Sequence, residues 1–493
     1  MKPKIILMAA VMIMILTTTV ITVMPKSDQR RVHQHREDTV QKCVHQNEVF
    51  CTHLPIVNIS TGGQKIPGEP ILNELGNTIA LETGDNGETM IIAEISVIDN
   101  ARANNHIGDT KAVDASAWLR IRGNSSRIFD KKSYAIRFID THGYDRELAV
   151  MGMPAHDEWA LYGPFLDKTL LRNYLGMNIS AEVMGYAPNV RFCECFLDGR
   201  YQGVYLFMET VARSENRVNL TGYDPDHVAS SYIVRMDEYE HNERSLDNFT
   251  YYTLNNKYNT GFTIVYPPRL LMTPETRTFI EDDISQFEKA LYSFDFKDPA
   301  RGYRAYIDVD SFVDYYVLQE FFLNNDMCSR STFLYKDIRG KLHMGPVWDY
   351  NNAFNNFIPL DFDGTDLQFI DRTWYQMLLR DEYFVNKVIA RYKALRKSYL
   401  SDEYLLNYID ETTNYLGGAI DRNYMVWGYT FEREHQKPGV SRRPIELNPT
   451  SYEEAIDQLK TIIVKRGEWM DKHIDILQQN CHGSKIKHFL PLP

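Results

Sequence analysis

Two carboxylates carry the clearest hint of chemistry in this sequence: Asp326, ending the polar run Asn324-Asn325-Asp326, and Asp349, in Trp348-Asp349-Tyr350-Asn351-Asn352. Between them Thr332 to Lys336 alternates like a strand, Asp337 to Gly340 reads as a turn, and Leu342 to Val347 returns as a second strand. Such a hairpin sets both acids at one end. Carboxylates brought together repel unless a cation or a shared proton lies between them, so the pair points to metal-assisted transfer or to paired-acid hydrolysis. Upstream, Arg122-Gly123-Asn124-Ser125-Ser126-Arg127 closes one strand candidate and Lys131-Lys132 opens the next. Backbone amides, two hydroxyls, an arginine and two lysines suit a polyphosphate, although a solvated hairpin with charged edges has the same composition.

The elements that must position these groups are legible in outline. Val309 to Phe321 is apolar at spacings of three and four, with Asp308 or Asp310 able to cap it, which predicts a core helix delivering Asp326. Strands are predicted over Leu54 to Ile59, Met90 to Ile98, Trp118 to Arg122, Lys131 to Phe138 and Tyr232 to Met236, with a hairpin from Phe192 to Glu209 turning at Asp198-Gly199-Arg200. A helix should open at Asp167 to Asn173 and run to about Met184. Helical spacing then dominates at Trp374 to Leu379, Phe384 to Leu395 and Tyr452 to Leu477. The expectation is an α+β fold: a β-rich N-terminal lobe over 51–240, an α-rich C-terminal lobe over 241–480 that begins with the carboxylate hairpin, and a tail over 481–493. That is the two-lobed layout of a divergent protein-kinase-like fold.

The chain has 493 residues, 44% hydrophobic and 12% aromatic, enough for a large core. A net charge of -12 argues against a nucleic-acid binder, although a local basic groove is compatible with that total. There is no tandem repeat, Walker A pattern, GxGxxG, HExxH or GxSxG. Ile5 to Met24 is uncharged for 20 residues, which as a helix spans about 30 Å. Residues 1–24 therefore read as a membrane anchor or signal segment, and the polar residues 25–50 as a flexible stalk. Lys2 and Lys4 precede the run and Lys26, Arg30, Arg31 and Arg36 follow it, so charge does not set its orientation. Cys43 and Cys51 are close enough in sequence to staple the stalk, which suits an extracytoplasmic, membrane-anchored or secreted protein. Cys193 and Cys195 share one strand face and read as core residues, and Cys328 has no histidine base nearby in sequence.

The ordered series Arg122-Gly123-Asn124-Ser125-Ser126-Arg127, Lys131-Lys132-Ser133-Tyr134, Leu171-Arg172-Asn173, Asp198-Gly199-Arg200-Tyr201-Gln202-Gly203-Val204-Tyr205 with Glu209, and Gly345-Pro346-Val347-Trp348-Asp349 resembles the CotH family. Its members are related to spore coat protein H and are atypical secreted protein kinases. The resemblance implies ATP with Mg²⁺ or Mn²⁺ as cofactors and a protein substrate with a Ser or Thr acceptor. It implies Lys132 on the nucleotide phosphates, with Lys131 as the alternative, and Arg127, Ser125 and Ser126 over those phosphates. Glu209 would stand near the adenine, Asp326 would orient the acceptor hydroxyl, and Asp349 would bind the metal with Asn351 or Asn352 beside it. Two departures bear on activity. Ser331 stands where conventional kinases have a metal-binding Asn, and Asn351 where many relatives have Asp. A catalytically inactive surface or coat binding protein of the same fold is the alternative, and a glycosidase with an aromatic-lined sugar cleft ranks third.

Overall fold

The computed structural model describes residues 31–37, 50–76, 78–100, 103–238, 244–252, 260–356, 363–432, 435 and 445–483. The proposed anchor over 1–24 and Cys43 lie outside them, as does the tail beyond residue 483. Among the described residues no helix is long and apolar enough to cross a membrane.

Seven strands close into a barrel. They are β1 (Ile56–Ser60), β2 (Ile91–Ile98), β3 (Val113–Arg122), β4 (Ser133–Phe138), β5 (Glu158–Tyr162), β6 (Val190–Leu197) and β7 (Arg200–Glu209). Around the barrel the order is β5-β7-β6-β1-β2-β3-β4, and β4 pairs back onto β5. Every neighbouring pair is antiparallel except β6 with β1. The alternation in these strands fills the interior with Val57, Ile95, Leu119, Ile136, Trp159, Cys193, Cys195, Tyr205 and Phe207. Cys193 and Cys195 are thus core side chains inside the barrel, and burial pushes both thiols up.

A second sheet, β9-β8-β10-β11, follows: β8 (Tyr232–Glu238), β9 (Thr260–Tyr266), β10 (Thr332–Lys336) and β11 (His343–Met344). The sequence reading grouped β8 with the N-terminal strands. Instead it pairs with β9 and β10, so a sheet partner of the carboxylate hairpin begins near residue 232. Among the described residues the longer helices are α1 (Arg172–Val183), α2 (Pro274–Leu291), α3 (Val309–Phe322), α4 (Glu382–Leu395), α5 (Asp402–Leu416), α6 (Gly418–Trp427) and α7 (Tyr452–His473). The mixed α+β composition, sheet-rich first and helix-rich later, matches the expectation. The barrel interior is one apolar cluster, and a second, larger one runs from Leu54 through Leu206, Tyr232 and Phe312 to Leu477.

The stalk expectation fails at one point. Gln34–Glu37 forms a helical turn held to the body: Gln34 Nε2 donates to Phe192 O at 3.1 Å and Gln34 Oε1 accepts from Phe192 N at 2.7 Å. An amide side chain there pairs with a strand edge as another backbone would.

Candidate active site

α3 is buried from Tyr315 to Phe322, as its mainly apolar sequence requires, while its first turn and Asp314 reach the surface. Asp308 caps its start by accepting from Ser311 N at 2.8 Å, and Leu323 ends it in the left-handed conformation. The chain then turns through Asn324 and Asp326, whose carbonyl accepts from Ser329 N at 3.0 Å and Arg330 N at 2.9 Å. Cys328 and Ser331 in this loop, and Asp349 across from it, also have positive φ. Left-handed non-glycine residues cost of order 1–3 kcal/mol each, and such strain persists where surrounding structure enforces it.

The enforcing contacts come from α1 and α3. Asn173 Oδ1 accepts from Tyr350 N at 2.7 Å, and Arg172 Nε donates to Ala353 O at 3.0 Å while its Nη1 binds Asp167 Oδ1 at 2.6 Å. Tyr350 is buried, its hydroxyl bonded to Ser180 Oγ at 2.8 Å and to Gln319 Nε2 at 3.1 Å. The Leu171-Arg172-Asn173 motif therefore holds Asp349 and Asn351 from beneath. Asn324 Nδ2 donates to Asp349 O at 3.3 Å, which ties the two carboxylate loops together.

A pocket opens where these loops meet the barrel rim. It is lined by Arg122, Gly123, Ser126 and Ser133 from the β3–β4 connection, by Tyr162, Asn173 and Met208, and by Trp348, Asp349 and Asn351. Burial pushes Asp349 up to about 7, helped by the nearby charge of Asp326 and opposed by Arg122. Asp237, at the end of β8, is pushed up to about 6 by burial, with Asp326 adding to the effect. Burial lowers Arg122 to about 10, against the pull of Asp349 and alongside the like charges of Arg120, Arg235 and Arg127. Its guanidinium lies 5.2 Å from the Trp348 ring centroid. The pocket is thus cationic on one wall and anionic on the other. In addition, the amide oxygens of Asn324 and Asn351 are buried and find no hydrogen-bond donor among the described residues. A wider hollow lies away from here, between Tyr424, Phe431 and the start of α7, and holds none of the motif residues.

The family comparison can now be set beside this geometry. The family model described as CotH kinase protein matches residues 119–470. The chain belongs to the CotH kinase family. No curated protein matches it. The matched span begins in β3 and ends in α7, so it covers the pocket and the helices beneath it.

For a CotH chain, the expected site residues are only partly gathered. Ser126 and Asp349 line the pocket with Asn351, and Asp326 is close enough for its charge to act on Asp349. Ser125 is exposed on the same turn. Arg127 is buried and points back into the turn, donating to Gly123 O, and to Gly68 O at 3.1 Å. Lys132 Nζ binds Glu69 Oε1 at 2.7 Å and Arg127 O at 2.8 Å, outside the pocket lining. Lys131 is buried, donating to Val204 O and Asn423 Oδ1, both at 2.7 Å, and burial holds its amine well below the usual lysine range. Glu209 is fully buried, accepting from Asn189 N at 2.8 Å and Tyr186 Oη at 3.0 Å; its neighbour Met208 is the pocket residue. Cys328 is buried and its thiol is pushed up by burial, the reverse of an activated thiolate. The cation beside Asp349 is Arg122, which the sequence reading quoted in the motif without giving it a role. Its signal was the alternation Trp118, Arg120, Arg122, which puts all three on the outer barrel face.

Proposed function

We propose that the pocket binds ATP with Mg²⁺ or Mn²⁺ and that the protein transfers phosphate to Ser or Thr hydroxyls of surface or secreted proteins, on a kinase-like arrangement of two lobes. The observation that carries this reading is the division of charge across the pocket: Arg122 on the barrel wall, Asp349 on the loop wall. A polyphosphate with a divalent cation complements both at once, whereas a neutral sugar would leave the arginine wall without a partner.

Asp349 and the unpartnered oxygen of Asn351, which both line the pocket, would supply oxygen donors of the kind that suit Mg²⁺ or Mn²⁺. Among the described residues no three His, Cys, Asp or Glu side chains converge as a ready-made metal cage, so water and phosphate oxygens would complete the shell. A bound cation neutralises charge on the transferred phosphoryl group. Arg122 and the Gly123–Ser126 turn hold the phosphates, and Asp326 holds the acceptor hydroxyl and takes its proton. Lys132 buttresses that turn through the Arg127 carbonyl.

Labelling with radioactive ATP, run beside a binding titration, tests these roles. Asp349→Asn should lose metal-dependent nucleotide binding. Asp326→Asn should bind nucleotide nearly normally and transfer roughly 10²- to 10⁴-fold more slowly. Full labelling by Asp326→Asn removes its assigned role. The second reading, a nucleotide-binding but inactive relative at the surface, is favoured by Ser331 and by the neutral Asn351; unmodified protein that binds ATP and labels nothing under either metal establishes it. Residues 1–24 would tether the domain to the membrane with its bulk outside the cytoplasm, and protease treatment of intact cells should then release it.

A further inference from the structure

The two walls of the pocket come from different parts of the fold, and one carboxylate touches both. Glu238, the last residue of β8, accepts from Asn124 Nδ2 at 2.6 Å through Oε2 and from Arg330 Nε at 2.5 Å through Oε1. Asn124 belongs to the Gly123–Arg127 turn on the barrel rim. Arg330 belongs to the loop whose turn closes on the Asp326 carbonyl. We propose that Glu238 is a positioning residue, a latch that fixes the phosphate-side turn in register with the Asp326 loop. The assignment of those two sides rests on the function proposed above; the latch itself rests on the contacts.

Three features argue for alignment rather than bulk stability. Glu238 and Arg330 are each about one-third exposed, at 30% and 29% of their side chains, and ion pairs with such access to water add little to folding. The turn is already secured from below by Arg127 on the Gly123 and Gly68 carbonyls, so the Asn124 contact fixes its direction and not its existence. Gly123, at φ 111°, adjoins Asn124 at the end of β3, and glycine lets the backbone pivot there. A pivot on one side and a charged clasp on the other make the turn movable and held.

The test uses hydrogen exchange on the intact protein, which needs no nucleotide, and ATP binding as a separate readout. In Arg330→Met, amides of the 124–129 turn should exchange faster although the substitution lies in another part of the chain, while the melting temperature stays within about 2 °C. Arg330→Lys, which keeps the charge, should restore protection. ATP should bind roughly 5- to 20-fold more weakly to Arg330→Met and to Asn124→Ala. In a Glu238→Ala background those two substitutions should add nothing further, because the clasp is already open. Unchanged exchange at 124–129 in Arg330→Met, or full additivity in the Glu238→Ala background, overturns the latch. Faster exchange with no ATP binding even by the unmodified protein would keep the latch and remove the nucleotide reading instead.

Discussion

Asp349 is the metal-binding residue of the proposed reaction, and its environment predicts a pH dependence. Burial, then Asp326, hold its proton to about pH 7, well above an ordinary aspartate, so a divalent cation must displace that proton. Metal affinity should therefore rise with pH up to about 7 and then level off. Calorimetry at pH 6.5 in buffers of different ionisation enthalpy should show proton release on Mn²⁺ binding, and none in Asp349→Asn. The folded state also binds this proton more tightly than the unfolded chain. Without metal, stability should fall as pH rises from about 4 to about 7, and Asp349→Asn should flatten that slope in melting curves. The carboxylates were legible because the hairpin between them predicts that both stand at one end. The cations were not. Lys131 and Lys132 precede β4, and there one amine is buried against Val204 and Asn423 while Glu69 captures the other. Strand parity gives the pocket Met208 in place of Glu209. Glu69 itself adjoins a small surface hairpin, Pro70–Leu72 with Thr78–Leu81, whose strands lacked the length and alternation to be recognised.

At the scale of elements, the position of Asp349 depends on how closely α1 approaches the loop after β11. Gly176 faces the Tyr350 ring so tightly that a methyl group would run into it. Replacing glycine by alanine inside a helix normally gains about 1 kcal/mol. Here Gly176→Ala should instead cost roughly 1–3 kcal/mol through overpacking, and, because Tyr350 adjoins Asp349, it should weaken metal-dependent ATP binding as well. A variant that melts higher and binds normally would show that the loop does not rest on α1. In α3, next to the Gln319 that holds the Tyr350 hydroxyl, Glu320 forms an ion pair with Arg466 shielded completely from water and also accepts from Gln368 N and Phe369 N. Removing one partner leaves a buried charge uncompensated, so Glu320→Ala should cost roughly 3–5 kcal/mol, read from denaturant unfolding. α3, α4 and α7 were visible from apolar spacing alone. α2 and α5 carry amphipathic stripes of their own that were not singled out. The pairing of β8 with β10 spans almost a hundred residues and has no local signature.

For the whole molecule, the N-terminal segment is part of the fold before the first barrel strand begins. A chain starting at Asp38 lacks the Gln34 bonds to Phe192 and the Arg36 contact with Glu411 at 2.8 Å. It should be less stable than one starting at Gln34 by about 2–4 kcal/mol, given roughly 1 kcal/mol per buried hydrogen bond. Equal unfolding midpoints would return 34–37 to the stalk. The α+β class was readable from composition along the chain, but closure of the barrel was not, since it depends on β1 lying parallel to β6, far along the sequence. That pairing has a consequence during synthesis. With translation at about 5–20 residues per second, β1 waits roughly 7 to 26 s for β6 to emerge. Until then β1 and β5 each offer an unsatisfied row of backbone groups to any passing strand. A chain exported while still extended would complete the barrel only on arrival, so a holding chaperone should recognise Ile56–Ser60 in the nascent chain and lose its grip once residue 197 is free.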